Sequence, residues 1–153
     1  MARFTPQQLD DLAQHYHDLS FEVGQTRLNL LRAGADLTDP RIVKLSTRIF
    51  DLLRISTRFA TDAANLELSD ADAAANAILV ATKAADTALD HLKSIDKALN
   101  IASAAFELGT AIFTGNLDQI AAAGKTLFEA STAPAEDTAD APNAESAPGL
   151  PSA

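Results

Sequence analysis

The sequence predicts an all-α protein: an up-down bundle of three long antiparallel helices, a short fourth helix forming an apolar hairpin with the end of the third, and an acidic tail. Three observations carry this expectation. Apolar residues recur in alternating steps of three and four, the spacing of one helix face. Alanine is abundant between Ala60 and Ala130, aromatics are 5% and tryptophan is absent, a composition that favours helix over strand. Signals that open and close helices alternate along the chain.

The elements follow in order. Thr5, Pro6 and Gln8 supply an N-cap, a proline at the first helical position and the glutamine of a capping box. Leu9, Leu12, Tyr16, Leu19, Val23, Thr26 and Leu30 then form a heptad seam, and Gly34 suits the stop, giving a helix over 6–33. Asp39 and Pro40 repeat the opening signal for a helix over 40–67, with Ile42, Leu45, Ile49, Leu52, Ser56, Phe59, Ala63 and Leu66 in its seam. Thr26 and Ser56 interrupt their seams; each either hydrogen-bonds its own helix or fixes the register of a neighbour. Ser69 with Asp72 caps a third helix over 70–114, whose seam passes through Ile78, Leu92, Ile95, Leu99 and Phe106 to Phe113 without meeting a proline. Gly115 and Asn116 stop it and cap a fourth helix over 117–131. Residues 132–153 hold four of the six prolines and four acids with no base. Such a composition cannot bury enough surface to fold alone and predicts disorder.

Helix lengths raise a question about the third helix. At about 1.5 Å per residue the first two helices span roughly 40 Å, whereas an unbroken third spans nearly 70 Å. Its end, KALNIASAAFELGTAIFTGN over 97–116, therefore projects beyond them. On a helical wheel its polar residues form one narrow stripe, and the apolar residues fill roughly two-thirds of the circumference. The predicted interaction or insertion surface is Leu99, Ile101, Phe106, Leu108, Gly109, Ile112 and Phe113, with Gly124 and Phe128 from the fourth helix. Gly109 and Gly124 would let the two backbones approach closely. Three outcomes follow. The chain bends near Ser94 to Asn100 and closes a compact bundle, two subunits pair their hairpins, or the hairpin enters a bilayer. Glu107 opposes spanning as a monomer, although a pore would turn the polar stripe to its lumen.

A net charge of −9 argues against a general nucleic-acid binder. The charge is uneven, since residues 27–58 carry a net +4. Arg41, Lys44, Arg48, Arg54 and Arg58 are a candidate anion-binding set on the second helix, for nucleic acid or acidic lipid; the alternative is pairing with acidic neighbours in the same bundle.

Chemistry-bearing patterns are absent. There is no cysteine. Asp11 and His15 stand one helical turn apart but His17 points elsewhere, so no metal set is complete. The residues three after Glu22, Glu67, Glu107 and Glu129 are Gln25, Asp70, Thr110 and Thr132, which lacks the Glu-x-x-His of di-iron bundles. No nucleophile elbow or phosphate loop occurs. His91 beside Asp90 carries no pattern. The expectation is a non-enzymatic protein with no cofactor and no small-molecule substrate.

Residues 97–127, an apolar helix, a Gly-Asn turn and a second short apolar helix, resemble the C-terminal hairpin of small bacterial all-helical proteins of unknown function. They also look, more loosely, like the hairpins of α-helical pore-forming toxins. The resemblance implies a helical fold and adds weight to membrane activity. The Ala-rich helices and Pro/Ala tail are shared compositionally with phasin-like granule coat proteins, a likeness without motifs.

Together these readings predict an interaction module that self-associates or binds a protein partner through the hairpin, with membrane insertion of the same hairpin as the alternative and anion binding by the second helix as a third. The N-terminal MARFTPQQLDDLAQHYHD lacks the apolar run of a signal peptide. A cytoplasmic location is expected, with export by another route left open.

Overall fold

The computed structural model describes residues 2–90 and 92–133, and among these every extended element is helical. There are five α-helices: α1 Pro6–Arg32, α2 Pro40–Thr61, α3 Ala71–Leu89, α4 Ile95–Ile112 and α5 Leu117–Thr132. The predicted tail beyond Ala133 lies outside the described residues, as does His91.

The opening signals act as their chemistry dictates. The Thr5 hydroxyl accepts from the Gln8 amide at 3.1 Å while the Gln8 side chain accepts from the Thr5 amide at 2.9 Å, a complete capping box. Asp39 accepts from the Arg41 amide ahead of α2, and Asn116 accepts from the Gln119 amide ahead of α5. For α3 the cap is Asp70, which accepts from Ala73, rather than the expected Ser69. Gly34 turns the chain between α1 and α2 with φ 110°, a left-handed conformation that suits glycine.

Two predicted helices are cut short. The second stops at Thr61 instead of running to Glu67; Asp62 caps it, and a single 3-10 turn over Ala63–Asn65 follows. The early stop lets Leu68 reach the core, where its backbone exchanges two 2.7 Å hydrogen bonds with Ala2 and Phe4 is buried beside it. The third helix, expected to run unbroken over 70–114, is two helices, α3 ending at Leu89 and α4 starting at Ile95. No proline or glycine marks the break. Ser94 supplies the new N-cap, accepting from the Lys97 amide at 3.1 Å, and Thr26 Oγ1 donates to the Leu89 carbonyl at 3.1 Å. A few backbone hydrogen bonds are exchanged for side-chain ones, and both halves then bury their apolar faces.

The division removes the length mismatch. At about 1.5 Å per residue, α3 and α4 are each roughly 28 Å long, close to their neighbours. The main packing pairs are α1 on α2, α2 on α4, α4 on α5, α5 on α3 and α3 on α1, and α4 also touches α1 and α3. The core they enclose includes Leu12, Tyr16, Leu19, Leu45, Leu52, Phe59, Ile78, Ile101, Leu108 and Ile112, all essentially inaccessible to water.

Gly109 of α4 lies against Ile55 of α2. A Cβ there would collide with the Ile55 side chain, whose Cγ1 would lie 2.9 Å away. Ile55 is β-branched and stiff about χ1, so it cannot swing clear cheaply. Gly109→Ala is expected to lose more by overpacking, about 1–3 kcal/mol, than the ~1 kcal/mol it gains in helix propensity. Urea denaturation should show a net loss, and adding Ile55→Val should cost less than the sum of the single changes.

Candidate functional site

The predicted hairpin face is divided between interior and surface. Ile101, Leu108, Gly109 and Ile112 of α4 and Gly124 of α5 are buried within the protomer; Leu99, Phe106 and Phe113 are partly buried; Phe128 is 41% exposed. The expectation of an uncovered arm is corrected. Its wide apolar arc is covered, but by three helices rather than by α5 alone. From α2, Ile55 meets Gly109, Phe59 lies 5.5 Å from the Phe113 ring, Arg48 stacks over Phe106 at 4.7 Å and Arg58 over Phe113 at 3.9 Å. From α1, the buried Tyr16 hydroxyl donates to the Ala105 carbonyl at 2.8 Å, and burial pushes the Tyr16 phenol well above its ordinary value. On the opposite flank α5 closes the arc. Gly124 sits against α3, where a Cβ would lie 3.4 Å from the Ala77 carbonyl oxygen.

The basic residues of α2 meet partners in the same chain. Arg41 bridges Asp39 at 2.7 Å and Asp96 of α4 at 3.0 Å, and the Arg41 hydrogen bond holds the Asp39 carboxyl below its ordinary value. Arg48 and Arg54 grip the two oxygens of Asp51 at 2.9 and 3.2 Å, and Arg48 also donates to Ser103. Arg58 pairs with Asp62 at 2.9 Å. Lys44 is exposed. Of the five candidate anion ligands, four are thus already bonded to carboxylates.

His15 is half-buried with Nδ1 3.0 Å from the Thr82 hydroxyl, and His17 is exposed. Among the described residues no group of three or more His, Cys, Asp or Glu side chains could hold a metal ion. No helix among them is long and apolar enough to cross a membrane. An open groove of about 390 Å³ runs between α3 and α5, lined by Val80, Lys83, Ala84, Thr87, Ser131 and Thr132. Ser131 and Thr132 spend their hydroxyls on the Leu127 and Phe128 carbonyls. The groove therefore presents few groups that would orient a ligand.

Exposed large apolar side chains stand singly at Leu37, Val80 and Phe128, and four more lie on α1 and α2. Phe50 is 64% exposed, Phe21 58%, Val43 53% and Leu28 39%. Each helix contributes two residues seven apart, hence on one side. Three contacts fix the antiparallel register of the pair: Ser56 Oγ donates to the Ala13 carbonyl, Arg27 donates to that of Ile42, and Gly24 lies against Ile49. That register sets Phe21 level with Phe50 and Leu28 level with Val43. On α1, Phe21 and Leu28 stand three and four residues from the α2-facing Gly24, whereas His15 and Thr26 face α3. The seam reading missed this face because its residues lie off the heptad. Their own seven-residue spacing was the signal available.

Comparison with known protein families, curated proteins and solved structures gives no match to this chain.

Proposed function

We propose that the protein is a non-enzymatic helical-bundle interaction module, and that it self-associates by placing the outer α1–α2 face of one copy on the same face of another. The observation that carries this reading is the quartet Phe21, Leu28, Val43 and Phe50, four large apolar side chains exposed side by side on two adjacent helices. Scattered single exposures are ordinary, but a clustered set is characteristic of contact surfaces.

A second copy is the occupant that fits. An isologous contact needs a surface complementary to itself, and the level pairing of Phe21 with Phe50 and of Leu28 with Val43 supplies one. A two-fold axis parallel to the helices brings Phe21 over Phe50 and lays α1 of one copy on α2 of the other. Use of the α4–α5 hairpin as the docking or inserting surface would require withdrawing side chains that already fill the core.

Light scattering over a concentration series tests the proposal. The native chain should approach the dimer mass at high concentration. Phe50→Asp should weaken association by about 100-fold or more, the effect of charging a contact anchor, without loss of helicity. A native chain that stays at monomer mass would overturn it. Release of dye from liposomes by the native chain, lost in Phe106→Asp, would favour membrane insertion of the hairpin instead.

A further inference from the structure

The contacts of His15 with Thr82 at 3.0 Å and of Thr26 with Leu89 at 3.1 Å lay α1 along α3, and between them four carboxyl groups share the seam: Asp18 and Glu22 from α1, Asp86 and Asp90 from α3. The end of a helix carries a partial negative charge that favours cations. The last turn of α3 offers no base, and Asp90 is its C-cap residue. The Glu22 and Asp90 carboxyls lie near enough to act on each other, and Asp90 raises the proton affinity of Glu22. Two carboxyl groups can hydrogen-bond when one of them keeps a proton. One turn before Asp90, Asp86 Oδ1 is buried without a hydrogen-bond partner among the described residues. His15 of α1 faces Asp86 and acts on it in the opposite sense. No Lys or Arg among the described residues, and no charged group of α2, α4 or α5, is among the charges acting on Glu22 or Asp86.

The position of this cluster gives it a consequence. Asp90 caps α3, whose last residue is Leu89, and α4 starts at Ile95. The Thr26 to Leu89 hydrogen bond is a neutral tie holding the end of α3 to α1. A hydrogen bond between the neighbouring Glu22 and Asp90 carboxyls would be a second tie there, and it would depend on a proton.

We propose that the Glu22 and Asp90 pair, with Asp18 and Asp86 around it, is a proton-dependent latch. It holds the C-terminal turn of α3 on α1 while the pair shares a proton, and loosens that turn when both carboxyls ionise. Burial, then Asp90, Asp86 and Asp18, push Glu22 from its ordinary 4.5 up to about 7. Burial first, then Asp90 and Asp18, also raise Asp86. The folded chain therefore binds the Glu22 proton more tightly than the unfolded chain does. The stabilisation is complete below about pH 4.5 and is lost as pH rises through about 7. The latch lies on the α3 side of α1, apart from the α1–α2 face, and holds for a single protomer whether or not copies pair.

Thermal unfolding of the full chain at about pH 5.5 and pH 8, at one ionic strength, reads the latch. The native Tm should fall by about 3 °C or more between the two, the shift expected of roughly 1 kcal/mol in a chain of this size. Glu22→Gln keeps the hydrogen bond and removes the charge, so it should raise Tm at pH 8 and remove most of the difference; Asp90→Asn should act the same way. Asp10→Asn, which removes one exposed charge elsewhere on α1, should keep the native difference. Amide exchange over residues 86–90, corrected for its intrinsic pH dependence, should quicken at pH 8 in the native chain and not in Glu22→Gln. If Glu22→Gln and Asp10→Asn change the pH profile equally, the effect is general charge repulsion and the latch is overturned. An unchanged profile in Glu22→Gln overturns it as well.

Discussion

Phe59→Ala is expected to lower stability by about 3–5 kcal/mol, a large share of the roughly 5–15 kcal/mol that holds a domain of this size together. Phe59 has no solvent-accessible surface. Its ring lies 5.9 Å from Tyr16 of α1 and 5.5 Å from Phe113 at the end of α4, tilted by 41° and 46°. Tilted aromatic contacts of this kind add to the area they bury. Truncation opens a cavity bounded by the two remaining rings, and neither is free to collapse into it. Tyr16 is tethered through its hydroxyl to the Ala105 carbonyl at 2.8 Å, and Phe113 is covered by the Arg58 guanidinium at 3.9 Å. One change therefore loosens α1, α2 and α4 together. Urea denaturation followed by helicity should show a much lower midpoint, whereas Phe59→Leu, which keeps most of the volume, should cost under about 1.5 kcal/mol. A loss below about 1 kcal/mol for the alanine variant would show that the three helices are not held through this ring.

Much of the architecture was legible in the sequence because its causes are local. The caps at Thr5, Asp39 and Asn116 are backbone–side-chain hydrogen bonds spanning two or three residues, and the structure contains each of them. The seam positions Leu12, Tyr16, Leu19, Ile42, Leu45, Leu52 and Phe59 are all buried, because a helix with one apolar stripe has one way to shed water. A bend near Ser94 to Asn100 was one of three outcomes the sequence left open, and α4 starts at Ile95; the choice among the three was not legible, because its cause is not local. The residues there tolerate helix, and Ser94 is a cap whose use is decided by what the chain gains beyond it. That gain is burial of Ile101, Leu108 and Ile112 against α2, a contact between segments more than 40 residues apart. The apolar circumference of α4 was correctly seen to exceed what α5 could cover. Which surface supplies the remaining cover is a tertiary matter, and here it is the chain's own α2 and α1. Ser56 resolves in the same way. Its hydroxyl reaches across to the Ala13 carbonyl rather than back to its own helix, the register-fixing alternative. Thr26 likewise crosses, to α3. The Glu22, Asp86 and Asp90 cluster was hidden because Glu22 is more than 60 residues from the other two in sequence and meets them through the packing of α1 on α3.

Leu108→Asp is expected to abolish cooperative folding, and it separates an internal face from an external one more sharply than any change at the hairpin rim. Leu108 is fully inaccessible on α4, in the stretch that carries Ala105, tied to Tyr16, and Gly109, pressed on Ile55. Removing the leucine from such a site costs about 2–5 kcal/mol. Placing a carboxyl there without a hydrogen-bond partner adds roughly another 1–3 kcal/mol even when it takes up a proton. The sum rivals the whole stability of the domain. Circular dichroism should show loss of the cooperative melt at neutral pH. Recovery should be partial as pH falls, because burial raises the carboxyl's folded value and the neutral form is the one the core can hold. A face kept open for a partner or a bilayer would answer differently. Leu108→Asp would then melt as the native chain does and lose association or liposome activity alone. Phe50→Asp supplies the converse, since a charge on the outer α1–α2 face remains in water in the protomer and should leave its melt nearly unchanged. The two variants read opposite sides of the same wall. Loss of folding from Leu108 with loss of pairing from Phe50 places the association surface on α1 and α2, and the reverse pattern would return it to the hairpin.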